Sequence, residues 1–454
     1  YNHFHHTRTC LHALAVCGDA TPFEVIVVDD HSSDETEARL RELDGLHYTR
    51  NAQNLGFIGA CNAGAAQARG EFLVFLNNDT AVQPGWLDAL LRTFEQHPRV
   101  GLAGSKLVYP DGRLQEAGGI VFDDASGWNY GRFEDPADPS FNYVREVDYC
   151  SGAAIAIPRA LFQRFGGFDP HYAPAYYEDT DLAMKVRQAG LRVLYQPASV
   201  VVHFEGVTSG TDTAGSGTKR YQVVNQGKFL ERWRDALSAH PAPGTDIAIA
   251  REHRATRRVL IIDATTPQAD HDSGSLRLVN AIRVMREEGC AITFFADNRA
   301  WIERYTAELQ QLGVEVLWHP WLDDPVRWFA RNGRRFDMVF ISRHYVASSY
   351  VGLVRLHAPQ ARLVFDTVDL HYLREQREAE LSGRSEQAQS AAVTRSRELA
   401  LIRSCDITVV VSPVEQELLR HEAPGARVEL LSNVHEVYGR RRGFAEREGL
   451  MFMG

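Results

Sequence analysis

At 454 residues the chain exceeds the ~250–300 residues at which one hydrophobic core stops growing, so it holds two or three domains. Its 44% hydrophobic and 24% charged content is that of an ordinary globular protein, and its net charge of −10 argues against the broad basic face that nucleic-acid binding needs. No run of ~18 apolar residues is present, which excludes a bilayer-spanning helix. The scattered Cys10, Cys17, Cys61, Cys150, Cys290 and Cys405 contain no C-x-x-C and read as reduced thiols in a cytosolic setting.

The chain opens at Tyr1 in a helix-like stretch with no strand before it. His3, His5 and His6 gather there and fit either a metal site or, more simply, a frayed terminus. Phe23–Val28 is a short apolar, β-branched run that ends in Asp29-Asp30. Asp34–Leu43 is helical, with Ser32 or Ser33 as N-cap. A strand at Leu46–Thr49, a helix at Gly59–Ala68, a strand at Glu71–Leu76 and a helix at Pro84–Gln96 follow. This alternation predicts an α/β layer with a mostly parallel sheet.

Residues 110–145 are rich in Gly, Asp, Pro and aromatics and predict a flexible loop over a cleft. CSGAAIAIPR then predicts a strand and Arg159–Phe165 a short helix. Asp179–Ala189 reads as a helix ended by Gly190, and Leu191–Tyr195 and ASVVVH as strand. Thr208–Thr218 reads as mobile and Lys219–Leu237 as an amphipathic helix. Its basic and aromatic residues fit either lipid headgroups or, more simply, packing through Phe229 and Trp233. Residues 238–256 have linker composition. From 257 a second strand–helix alternation predicts a doubly wound domain to about 448, and 449–454 read as the opening of a further strand, so the sequence is expected to be a fragment.

In open α/β sheets ligands bind beyond the carboxyl ends of strands, where Asp29 and Asp79 both fall. Asp29 can accept from a nucleobase N–H, and Asp79 can bind a hard cation through oxygen, with Asn77 adding an amide oxygen. Either aspartate alone reads as a cap or turn residue. The pair, with Asn54 and Gly56 between them, points to a metal-diphosphate site. Glu178-Asp179 opens a helix and can supply a general base for a sugar hydroxyl. His203 ends a strand and is a candidate metal ligand.

Together VIVVDDHSSDET, RNAQNLGFIGACNAGAAQARGEFLVFLNNDT, CSGAAIAIPR, FGGFDP, YYEDTDLAMKVRQAG and VVHFEG resemble the family-2 glycosyltransferases with the GT-A fold, over about residues 1–235 and in the family's order. The likeness is greatest to bacterial rhamnosyl- and galactosyltransferase-like members of surface-polysaccharide (O-antigen-like) pathways. It implies an inverting, Mn2+- or Mg2+-dependent transfer of a hexosyl or deoxyhexosyl group from a nucleotide-diphosphate sugar to a glycan or lipid-linked saccharide.

The same resemblance places Tyr1, Asp29, Asp30, Asn54, Gly56, Asn77, Asn78 and Asp79 at the donor. Asp79, Asn77 and His203 would hold the metal, Asp179 would be the base with Glu178 beside it, and Gly152, Trp128 and Arg187 would lie on the acceptor side. Two departures stand out. Asn77 replaces the first acid of the D-x-D motif, and the family's first strand has no counterpart after Tyr1.

The domain expected over 257–448 is similar to the N-terminal half of GT-B glycosyltransferases of the family-4 kind, on RRVLIIDATTPQADHDSGSLR, ARLVFDTVDLHYLRE and LLSNVHEV. That resemblance implies an acceptor-facing half with Gly274 in the first strand–helix loop and Asp369 and His371 near its cleft. The expected organisation is therefore 1–237, a linker at 238–256, 257–448, and the start of a further domain at 449–454. The implied location is cytoplasmic, with peripheral contact at the inner face of the plasma membrane. A nucleotidyltransferase and a non-catalytic nucleotide-sugar-binding scaffold are the competing readings.

Overall fold

The computed structural model describes residues 1–204, 220–435, 439, 440 and 442–449; the stretch Thr208–Thr218 expected to be mobile lies outside them. The chain divides into two compact units, 1–255 with 306–323, and 256–305 with 324–454.

The first unit runs α1 (Phe4–Val16), β1 (Ile26–Asp29), α2 (Thr36–Leu40), β2 (His47–Arg50), α3 (Gly56–Ala65), β3 (Phe72–Leu76), β4 (Thr80–Val82) and α4 (Trp86–Gln96). It continues through β5 (Val100–Val108), β6 (Leu114–Glu116), β7 (Gly119–Val121), β8 (Gly127–Asn129), β9 (Arg145–Glu146), β10 (Ala154–Pro158), α5 (Arg159–Arg164), α6 (Glu178–Gln188), β11 (Arg192–His203), α7 (Tyr221–Leu237) and α8 (Ile247–Ala250). Its main sheet has the order β3-β10-β5-β11-β4, with β6 on β5 and β9 on β11. Only β5–β11 is parallel among the five main strands, so the mostly parallel sheet expected for this part is in fact mixed.

Alternation of side chains builds two cores on this sheet. Leu102, Ile155, Ile157, Val193 and Tyr195 face one, and Ala103, Leu107, Ala154, Ala156 and Val201 face the other against Trp86, Leu87 and Leu90. β1 and β2 form a separate parallel pair. Their sheet and β3 are not joined by backbone pairing among the described residues, and a cleft extends between them along Val25–Val28 and Phe72–Leu76.

Residues 110–145 are ordered rather than loose. Phe122, Tyr130, Phe141 and Tyr143 are buried, and Asp111, Asp124, Asp135 and Asp138 each cap a turn by accepting a backbone N–H two residues on. The residue types that suggested a loop here serve tight turns, and Phe122, Tyr130 and Phe141 enter the core. The segment 238–256, linker-like in composition, is packed too: His240, Ala250 and Arg251 are buried, and Arg251 pairs with Glu315 at 2.9 Å.

α7 buries Asn225, Phe229, Trp233 and Leu237 at four-residue spacing, so the packing reading of this helix accounts for its aromatics. Lys228 donates to the His171 carbonyl and Arg232 pairs with Asp169. Phe229 is fully buried. Phe229→Ala is expected to cost about 3–5 kcal/mol, read as an earlier first transition in urea denaturation.

In the second unit the parallel sheet runs, in spatial order, through Ala291–Ala296, Arg258–Asp263, Met338–Ser342, Arg362–Asp366, Ile407–Val410 and Val428–Leu430. The order reverses beside the Arg258 strand. A cleft of about 540 Å³ there is lined by Asp272, Gly274, Arg277, Arg343, Asp369 and Asn433. Asp369 lines this cleft as expected, while Gly274 lines it from within the helix Ser273–Glu287 rather than from the strand–helix loop. His371 is buried instead, with Nδ1 against the Asp369 carbonyl at 3.1 Å and the buried Glu398 at 3.7 Å. Among the described residues no helix is long and apolar enough to cross a membrane.

Candidate active site

One cleft of the first unit, about 1660 Å³, gathers residues far apart in sequence: Tyr1, Asp29, Asp30, Asn54, Gly56, Asn77, Asn78, Asp79, Trp128, Gly152, Glu178, Asp179 and His203. Its volume exceeds the ~300–1,000 Å³ of common ligand pockets because it continues between β1 and β3.

Asp29 ends β1 with its carboxylate already engaged. Ser32 N donates to Oδ1 at 2.8 Å, and Tyr48 and Arg50 donate to Oδ2 at 2.9 and 2.5 Å. Burial raises its pKa, but these hydrogen bonds outweigh burial and hold the carboxyl below its ordinary value. Asp30 accepts from the backbone N–H groups of Leu55 and Gly56 and from Asn51 Nδ2, and so fastens the start of α3. Its oxygens serve the protein's own chain rather than open space. Gly56 has φ of 72°, and a Cβ there would meet Pro174 at 2.8 Å, so glycine is required by both conformation and space. Asn54 Oδ1 accepts from the same Gly56 N at 3.1 Å.

After β3 the chain turns through Asn77-Asn78-Asp79. Asn78 Nδ2 donates to Thr7 of α1 at 3.0 Å, so this side chain faces the helix. Asp79 is 5% exposed. The antiparallel pairing of β4 with β11 sets His203 opposite Thr80, which brings His203 Nε2 to 3.4 Å from Asp79 Oδ1. Gln115 Oε1 lies 3.1 Å from the other ring nitrogen, Nδ1.

At the other wall, Tyr176 and Tyr177 both hold positive φ, 75° and 72°, immediately before α6. Asn225 of α7 holds this turn by donating to the carbonyls of Tyr172, Ala175 and Tyr176. Asp179 follows. Its Oδ2 accepts from Gly152 N at 2.9 Å, and its Oδ1 from Thr180 N at 2.7 Å. Burial pushes its carboxyl up, and these N–H groups only partly offset that. Glu178 is 5% exposed, and its Oε2 has no hydrogen-bond partner among the described residues. Burial, with the Asp179 charge, pushes its carboxyl well above the ordinary range. The next acid, Asp181, is structural: it accepts from Trp233 Nε1 at 2.9 Å and pairs with Lys185 at 2.9 Å.

Trp128 on β8 is 49% exposed at the cleft, an open aromatic face. Arg187 is corrected: it lies in the last turn of α6, does not line the cleft, and pairs with Glu146 at 3.0 Å. Nine residues after Glu178, it sits at the opposite end of an 11-residue helix. Sequence reasoning missed Gln115, Glu116 and Tyr149, which also line the cleft. The only signal for the first two was LQEAGG, inside the stretch read as loop.

Outside the cleft, Asp148, His240 and His253 bring possible metal-ligating atoms within 4.8 Å of one another. Arg254 joins them, with Nε donating to Asp148 Oδ1 at 2.9 Å and Nη2 to His240 Nε2 at 2.9 Å. The guanidinium compensates the buried carboxylate, and this group fastens the 238–256 segment.

Residues 1–164 match the family described as Glycosyl transferase family 2. The O-antigen biosynthesis protein RfbC of Myxococcus xanthus is 30% identical over 53% of this chain and 21% of its own length. The N-acetylglucosaminyl-diphospho-decaprenol L-rhamnosyltransferase of Mycobacterium tuberculosis is 28% identical over 42% of this chain and 70% of its own. A crystal structure of GalNAc-T7 with UDP, GalNAc and Mn2+ shares 19% identity at a TM-score of 0.40, covering 54% of this chain and 51% of that one. The chain spans about a fifth of the length of RfbC. Residues 1–164 therefore carry a glycosyl transferase family 2 domain.

Proposed function

We propose that the first unit transfers a sugar from a nucleotide-diphosphate donor to a glycan or lipid-linked saccharide in surface-polysaccharide synthesis, with inversion at the anomeric carbon. The observation that carries this reading is the opening of Asp79 with His203, and of Asp179, onto one cleft. The names of the similar proteins support the reaction class and the polysaccharide context.

Asp79 and His203 are the residues that would hold Mn2+ or Mg2+, and Asn77, two residues earlier, lines the same wall. The donor set fits: a buried carboxylate oxygen and an imidazole nitrogen face each other at 3.4 Å. Held by these residues, a divalent cation would supply charge neutralisation for a departing diphosphate. Tyr1 and Asp29 lie toward the nucleoside end. Asp29 keeps little spare accepting capacity beside Ser32, Tyr48 and Arg50, so its contact with a base is at most one further hydrogen bond.

Asp179 takes the acceptor hydroxyl proton as that oxygen attacks the anomeric carbon from the face opposite the diphosphate, so one displacement inverts the configuration. The raised pKa suits this task, because it makes the carboxylate a stronger base than an exposed aspartate. Trp128 offers a flat apolar face to an acceptor sugar ring, and Gly152 holds Asp179 through its N–H. For the second unit we propose kinship with the acceptor-side half of GT-B transferases, supported by its parallel sheet and the cleft at its order reversal.

The test is a panel of UDP-, dTDP- and GDP-sugars, each assayed with the full chain for nucleotide release with and without Mn2+. The expected result is metal-dependent release from one donor class. Lack of binding and of release across the whole panel would sink the proposal.

A further inference from the structure

We infer that Gln115 is a positioning residue, holding the His203 imidazole in the tautomer whose Nε2 lone pair faces Asp79 and thereby setting the cation affinity of that pair. The inference rests on the cation-site reading above.

The backbone aims Gln115 deliberately. Along the β5–β6 ladder Leu107 pairs with Glu116 and Val108 with Leu114, which leaves Gln115 as the extra residue of a bulge. Neighbouring strand residues normally point to opposite faces. With the bulge, both Gln115 and Glu116 line the cleft, Gln115 toward His203 and Glu116 toward Ser151 N at 2.9 Å.

The chemistry follows from the atoms. Gln115 Oε1 is an amide oxygen and can only accept, so the proton between it and His203 Nδ1, at 3.1 Å, belongs to the ring. In the neutral imidazole Nε2 then carries a lone pair. Nε2 lies 3.4 Å from Asp79 Oδ1, which can only accept when ionised. Two acceptors sharing one cation at about 2.1 Å stand about 3.0–3.4 Å apart. A charge-assisted N–H···O bond would draw them to about 2.7–2.9 Å. Gln115 and His203 are 3% and 9% exposed, so water competes little for Nδ1.

The experiment is calorimetric titration of the full chain with Mn2+ alone, for wild type, Gln115→Ala, Gln115→Glu and Asp79→Ala, with circular dichroism confirming the fold of each. Loss of the bond that orients a ligating histidine weakens metal binding by about 10–100-fold, and that loss is expected for Gln115→Ala. Gln115→Glu keeps an acceptor at the same place and is expected to bind Mn2+ within about threefold of wild type, a rescue that a merely structural role would not show. Wild-type affinity in Gln115→Ala, with binding lost in Asp79→Ala, overturns the role of Gln115 alone. Wild-type affinity in Asp79→Ala overturns the cation-site reading and this inference with it. Should Gln115→Ala fail to fold, Gln115→Glu decides, since loss of Mn2+ binding in that folded variant also overturns the inference.

Discussion

Asp179→Asn is expected to lower sugar transfer by roughly 10²–10⁴-fold, the usual contribution of a positioned general base, while the donor still binds. The asparagine oxygen can keep either the Gly152 or the Thr180 N–H, so the turn that presents the side chain survives. What disappears is the group that can take a proton. The pH dependence carries a sign. Burial raises the Asp179 pKa, so the base is lost to protonation at a higher pH than an ordinary aspartate, whose value is about 3.9. In the wild type kcat/KM should therefore fall, as pH is lowered, on a limb displaced above that value. The linkage to stability has the opposite consequence. A carboxyl whose folded pKa lies above its unfolded one binds protons more tightly when folded, and it loses stability as pH rises through that pKa. Initial rates of nucleotide release across pH, with equilibrium titration of the donor, provide the check. Transfer by Asp179→Asn within tenfold of wild type would falsify the base assignment.

Asp79→Ala is expected to cost several kcal/mol of transition-state stabilisation, about a 10³-fold loss in turnover, and to abolish the response to added Mn2+. The physical reason is burial. Asp79 is 5% exposed, and removing it leaves the His203 imidazole and Gln115 with no carboxylate to offset a divalent charge. The measurement is nucleotide release by chelator-treated protein as Mn2+ is restored. A variant that recovers with the wild-type Mn2+ dependence would remove Asp79 from the metal site. The two substitutions separate the halves of the chemistry, since the first spares cation binding and the second spares the base.

The local grammar of this chain was readable without coordinates. Apolar runs leading to Asp29 and Asp79, the helix after Glu178-Asp179, and four-residue spacing from Asn225 to Leu237 all express patterns of single elements. Where an element buries both faces, the pattern is silent. Val100–Val108 went unread as a strand because Gly101, Gly104, Ser105 and Lys106 interrupt its apolar residues, and yet it is the central strand, buried from Gly101 onward. The turns of 110–145 were misread for the converse reason: their polar residues are conspicuous, and the aromatics that pin them inward contact partners distant in sequence.

The residue types of the candidate site were thus visible in the one-dimensional chain, since carboxylates after strands and a terminal histidine announce themselves by chemistry. Their relations were not. That His203 meets Asp79 depends on the register of β11 against β4, that Gln115 reaches His203 depends on one extra residue in a ladder, and that Arg187 turns away depends on the length of α6. The first two are long-range pairings set by packing of the whole unit, and no window of neighbouring residues contains them.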